Sequence, residues 1–476
     1  MKISERYNLS KTQAELDFID IDTSEDMPLF LDPFFLGTRT DKWSINASRT
    51  IRSFFQKVID LIISKKENEA KALFDYLHEP NSTCLGMSIG KPRGRGVGFT
   101  DTDKIYNSLS KSKAIQTGLV RDIEDSTLFI DNFGKDKLSD MATNIITGHL
   151  VEYTKNQCNL HDIPLTENIP SGYFWDSISE SWITEYSEML VVEGEVKLLV
   201  PKGIVSFAKS YTPDRYCQHY VLNFLQNEHL RLNTALVEKR TNGERYVTKK
   251  SLKEQLPKEM KEFLRDFTIK HPELLERFKN ETKIESLNNL EFSEFNVNKL
   301  IDSLTNRLLE INSGRDTADD FHNIIIGILE VIFYPHLLNP TKEYAIHQGR
   351  KRVDITFDNG AKDGIFNRLS NNMGIPSSYI YVECKNYSTD VANPELDQLS
   401  GRFSVNNGQV GFLVCRSINN MELFIERCRD TYKDGRGLVI PIVDDDINEL
   451  LKNYNDWDYS YTEKFLSDRI RKIVIS

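Results

Sequence analysis

Two short apolar runs, each carrying charged residues at fixed parity, set the strongest limit on how this chain can fold. Val353-Asp354-Ile355-Thr356-Phe357 and Tyr379-Ile380-Tyr381-Val382-Glu383-Cys384-Lys385 combine β-branched and aromatic residues with polar ones at alternate positions, the signature of β-strands. Residues two apart on a strand share a face, so Glu383 and Lys385 project together, ~7 Å apart along the strand. If the first run pairs beside the second, Asp354 joins them at a sheet edge. Two carboxylates and an ammonium at one spot can hold a hard divalent cation and position a water for attack on a phosphodiester.

The flanking segments read as the rest of an α/β domain. Phe321 to Tyr334 is an apolar helix interrupted by Glu330. Asn393 to Phe403 is a helix carrying polar residues toward the site, and Val410 to Arg416 is a buried strand. Gly437 to Val443 reads as a last core strand, after which Asp444-Asp445-Asp446 opens a helix with acids at its favourable N-terminal end.

The pattern Asp354…Glu383-x-Lys385, set in the order helix, strand, strand, helix, strand, resembles the PD-(D/E)xK superfamily of restriction-endonuclease-like nucleases over roughly residues 315–450. Val353 stands where the name-giving proline would be, and the separation of 29 residues from Asp354 to Glu383 requires an inserted loop or short helix over 359–378. The resemblance implies an αβββαβ core with a mixed sheet and catalytic roles for Asp354, Glu383, Lys385 and Gln398. It further implies Mg2+ as cofactor, with Mn2+ as a substitute, and DNA as substrate, RNA being left open. A restriction or antiphage role follows by analogy alone. The alternatives are a nucleic-acid-binding protein with an inactive nuclease fold and a repair or recombination nuclease that reads DNA structure.

Other residues are weighed against plainer roles. Glu330 in an apolar helix is costly unless paired or metal-bound, so it is either a further metal ligand or half of a structural salt bridge. Arg402, one turn after Gln398, faces either phosphate or a surface ion pair. Asp358 has the parity of Asp354 but adjoins Asn359-Gly360, a turn signal. A second Glu-x-Lys, Glu195-Val196-Lys197, lacks a Val-Asp-Ile strand before it and reads as a solvated strand face. The nine histidines show no metal-ligand spacing. Nucleic-acid contacts are expected from Arg350-Lys351-Arg352, directly before the acidic strand, and from Arg93 and Arg95 in a loop with five glycines between Gly86 and Gly98. That loop is not a Walker A motif, and its plainer role is a basic turn.

At 476 residues the chain exceeds one ordinary domain. Three parts are expected: a mixed α/β region over 1–245 that senses or binds a target, a charged helical connector over 246–300, and the nuclease-like domain over 301–476. In the first part, helices are expected at Thr50–Lys65, Asn68–Leu77 and Lys137–Gln157, and strands at Ser126–Asp131 and Glu188–Val200. The net charge of −11 argues against general electrostatic coating by nucleic acid and leaves a local basic groove to do that work. Six cysteines without regular spacing fit reduced, buried thiols in a cytoplasmic protein. No apolar run is long enough to cross a bilayer, so no membrane partner is expected. Cutting both strands of a duplex with one site per chain requires two copies, so a homo-oligomer is expected, and an ATPase or helicase partner is left open.

Overall fold

The computed structural model describes residues 1–86, 106–112, 115, 120, 122–130, 133–206, 211–257, 259–286, 297–346, 351–455 and 458–475. Two hydrophobic cores organise them. The first gathers buried side chains from Ile3 to Phe278, and the second gathers Leu160 with side chains from Leu300 to Ile473.

The first core is built on helices α1 (Lys42–Ile63), α2 (Glu67–Phe74), α3 (Lys135–Ile145) and α4 (Thr147–Leu160). In α1 the Asp41 carboxylate accepts the Ser44 N–H at 2.9 Å, and Ala47, Ile51, Phe54, Val58 and Leu61 form its buried stripe. A hairpin of β1 (Thr166–Asp176) and β2 (Ser181–Val192) lays Trp175 and Trp182 against Phe54. Helices α5 (Leu222–Leu232), α6 (Met260–Lys270) and α7 (Pro272–Ser286) close this core.

Several local expectations change here. Within the expected Ser126–Asp131 strand, Ser126–Phe129 is a helical turn, since so short a segment has no periodicity to choose between the two. Ile146 divides the expected Lys137–Gln157 helix into α3 and α4. Glu188–Val200 is a hairpin: Glu193 and Gly194 turn with φ of 54° and 81°, and β3 (Glu195–Lys197) returns antiparallel to β2. The 246–300 segment is no bare connector. Leu252, Leu264, Phe267, Leu275 and Phe278 are buried in the first core, so the change of core falls between Phe278 and Leu300.

The second core surrounds a five-stranded mixed sheet. After α8 (Val297–Glu310) and α9 (Ala318–Phe333) come β4 (Leu337–Ile346), β5 (Lys351–Asn359), α10 (Gly364–Asn371) and β6 (Tyr379–Lys385). Then follow α11 (Asn393–Ser400), β7 (Val410–Cys415), α12 (Met421–Lys433), β8 (Leu438–Val443), α13 (Asp444–Lys452) and α14 (Ser460–Val474). The spatial order is β8-β7-β6-β5-β4; β4, β5 and β6 pair antiparallel, whereas β6, β7 and β8 pair parallel. The protein is thus mixed α/β, with a mixed sheet in its C-terminal part. The fully buried runs of β7 and β8 are what parallel strands covered on both faces require. The expected insertion between the two acidic strands contains α10.

A polar seam joins the two cores. The Gln157 side chain donates to the Pro340 carbonyl at 3.2 Å, Lys11 donates to the Asn323 carbonyl at 2.9 Å, and Arg307 pairs with Glu15 at 2.7 Å. All six cysteines are free and buried. No helix among the described residues is long and apolar enough to cross a membrane.

Candidate active site

The register of β5 against β6 brings the sequence motif together. Val382 lies opposite Ile355, so the next residues along the two strands, Glu383 and Asp354, face each other. Asp354 Oδ2 accepts the backbone N–H of Cys384 at 2.9 Å, which fixes its carboxylate beyond the last ladder pair. β6 is also the strand that has an antiparallel neighbour, β5, on one side and a parallel one, β7, on the other.

Helix α11 covers the same face of β6. It starts well because Pro394 occupies its first turn and the Glu395 carboxylate accepts the Ala392 N–H at 2.9 Å. Leu396 and Leu399 are buried. Three alternate residues of β6 then meet three residues of α11 and the turn that ends it. Tyr381 stacks on Phe403, with centroids 5.8 Å apart. Glu383 pairs with Arg402. Lys385 donates to the Gln398 side-chain oxygen at 3.0 Å and to Glu383 Oε1 at 2.7 Å. The fold therefore aligns Gln398 in α11 and Arg402 in the turn just after it with Lys385 and Glu383, two strand residues apart.

Burial gives these contacts weight. Glu383 is 0% exposed, Lys385 8% and Arg402 9%. Burial holds the Arg402 guanidinium below its ordinary pKa, against the opposing pull of the Asp354 charge. Arg402 Nη1 and Glu383 Oε2 compensate each other as a buried ion pair. Cys384, between the two charged residues and on the opposite face, is buried, and its thiol lies well above the ordinary range.

His322, near the start of α9, is a further neighbour: its Nε2 lies 3.8 Å from Asp354 Oδ2. Nothing in its sequence spacing marks it, because only the packing of α9 across the sheet brings it to the strand end.

Other expected site residues go elsewhere. Glu330 is eight residues beyond His322 on α9, ~12 Å further along the helix axis. Its Oε2 accepts from Lys202 at 3.1 Å, both side chains being buried, so it takes the structural salt bridge and not the metal site. Asp358 lies within β5 and not in a turn, and accepts from Asn339 at 3.0 Å. The second Glu-x-Lys pairs internally, Lys197 to Glu195 at 2.9 Å, with Lys197 buried. Lys351 and Arg352 open β5, opposite Ile346 and Ala345. Arg350, Arg93 and Arg95 lie outside the described residues.

Among the described residues, no three or more His, Cys, Asp or Glu side chains are gathered closely enough to hold an ion by themselves. Asp354 and Glu383 supply two carboxylates, and Glu383 Oε2 is buried against Arg402, which an ion bound there would displace. That donor set fits a hard cation completing its shell with backbone oxygen and water.

Residues 8–212 match the model of a family described as a domain of unknown function, DUF8370. The match covers residues that supply most of the first core and stops short of the Asp354 site. No curated protein matches the chain, and no solved structure does.

Proposed function

We propose that the chain is a metal-dependent endonuclease that hydrolyses DNA phosphodiester bonds at the Asp354–Glu383–Lys385 centre. The observation that carries this reading is the meeting of Asp354 with Glu383 and Lys385 where the sheet passes from antiparallel to parallel pairing. The order α9, β4, β5, β6, α11, β7 supports it, being similar to the αβββαβ core of PD-(D/E)xK nucleases.

Asp354 and Glu383 would hold the ion, Mg2+ with Mn2+ as a substitute. When bound, it supplies Lewis acidity toward the phosphodiester. Lys385, held by Gln398 and Glu383, is placed to orient the attacking water or to stabilise charge on the phosphate. Gln398 acts through Lys385 as a positioning residue. The first core would select the target, and two copies would cut the two strands of a duplex. Restriction or antiphage defence is the setting proposed for this activity.

The test is cleavage of supercoiled plasmid by purified protein with Mg2+ or Mn2+, against Lys385→Ala. Metal-dependent nicking lost in the variant supports the reading; no nicking by the wild type with either metal overturns it. A second reading, a nucleic-acid-binding protein with an inert centre, has one observation in its favour: Lys385 and Arg402 already neutralise Glu383.

A further inference from the structure

We propose that Arg402 is a latch on the metal site that an incoming phosphodiester opens, so that divalent cation and nucleic acid bind cooperatively. The inference rests on the nuclease reading and adds to it how the substrate governs the metal.

Four charged groups form the centre. Asp354 and Glu383 carry two negative charges, and Lys385 and Arg402 carry two positive ones. Glu383 is the shared partner: Lys385 takes Oε1 and Arg402 takes the Oε2 side. A divalent cation coordinated by Glu383 has to displace one of these cations, because a third positive group beside them is repelled.

The two cations are held differently. The Lys385 ammonium has two hydrogen bonds, to Glu383 at 2.7 Å and to Gln398 at 3.0 Å, so Gln398 still holds it if Glu383 turns to a metal. Arg402 Nη1, on a residue nine-tenths buried, has its pair with Glu383 and no second side-chain hydrogen-bond partner among the described residues. Arg402 also sits in the turn after α11, its backbone N–H bonded to the Leu399 carbonyl at 3.0 Å, and not in the regular helix. It is the cation that the centre can release.

A phosphodiester offers a released guanidinium an anion with two oxygens at matching spacing, where Glu383 gives it one. Arg402 moving onto phosphate uncovers Glu383 Oε2 for the ion. The ion and the phosphate therefore favour the same arrangement, and each tightens binding of the other by the same factor.

Mn2+ titration by calorimetry tests this, with and without a phosphorothioate duplex that resists cleavage, on wild type and Arg402→Gln. The wild type is expected to bind Mn2+ about tenfold more tightly with duplex present. Arg402→Gln is expected to bind Mn2+ about tenfold more tightly than wild type without duplex, with no further gain on adding it. Mn2+ binding by Arg402→Gln that equals or falls below wild type without duplex overturns the latch. Arg402→Lys guards against misfolding of the Gln variant: it keeps a cation but loses the bidentate grip, so its coupling to duplex should fall below about threefold. Coupling in Arg402→Lys that stays at the wild-type value also overturns the latch. Glu383→Gln separates the two levels of the argument. Undiminished Mn2+ binding in that variant removes the metal site itself, whatever Arg402 does.

Discussion

The Asp354 carboxylate accepts the backbone N–H of Cys384 at 2.9 Å, across 30 positions of chain. That bond ties the acid of one strand to the residue between Glu383 and Lys385 on the next. It orients Asp354 toward the motif through a main-chain group, which no substitution at Cys384 other than proline removes.

Replacing Asp354 by Asn or Glu383 by Gln should abolish metal-dependent cleavage while leaving the fold in place. Lys385→Ala should lower the cleavage rate by about a hundredfold or more. Plasmid nicking at matched Mg2+, with circular dichroism as the folding control, measures both. Wild-type cutting by either carboxylate variant would remove the site assignment.

Gln398→Leu should lower the maximal rate with little change in nucleic-acid affinity, because Gln398 touches Lys385 and not the phosphate in this scheme. Restoration of most of the rate by Gln398→Glu, which keeps an acceptor for the ammonium, would separate positioning from simple packing. A loss of affinity with an unchanged rate would contradict this role.

Above about pH 8, where Glu330 has lost its proton, Lys202→Met should destabilise the whole chain by about 3 to 5 kcal/mol, because it leaves the buried carboxylate without its cation. The double variant with Glu330→Leu should recover most of that loss. Chemical denaturation of the single and double variants reads the difference, and additive losses would mean that the two side chains do not depend on each other.

Stability should decline as pH rises from about 5 to about 8. Burial pushes Glu330 up to about 8, and burial with the neighbouring Asp41 charge pushes Asp358 up to about 7. Each carboxyl therefore keeps its proton in the folded protein at pH values where the unfolded chain has lost it. Across that window the folded state binds more protons, so raising the pH favours unfolding. Glu330→Gln and Asp358→Asn should each flatten the decline, as read by thermal melts at several pH values. An unchanged slope in both variants would rule these groups out as its source.

Neutralising Arg350, Lys351 and Arg352 together should weaken nucleic-acid binding and reduce the slope of log affinity against log salt by roughly one unit per lost phosphate contact. Residual cleavage at low salt should still need the metal. Affinity and slope that do not move would remove the triplet from the nucleic-acid contact.

Strand periodicity was enough to find the core of the C-terminal part. The alternation in 353–357 and 379–385, the apolar runs at 410 and 438, and the acids at 444 each mark an element that the structure contains, because their periods reflect burial on one or both faces. Periodicity was weak where it competes with turn chemistry. Ser126–Phe129 and Glu193-Gly194 are settled by a few backbone dihedrals, which a short apolar run does not encode.

The same division holds at the site. The sequence alone determined that Glu383 and Lys385 share a face and that Gln398 and Arg402 lie one turn apart, since both follow from local geometry. Only the tertiary structure decided what those faces meet. It paired Arg402 with Glu383, brought His322 to Asp354 from another helix, and sent Glu330 to Lys202 in the seam between the two cores. The physical reason is that a charged side chain's partner is chosen by desolvation. Once burial removes water, the nearest opposite charge in space compensates it, and that neighbour comes from packing between elements far apart in the chain.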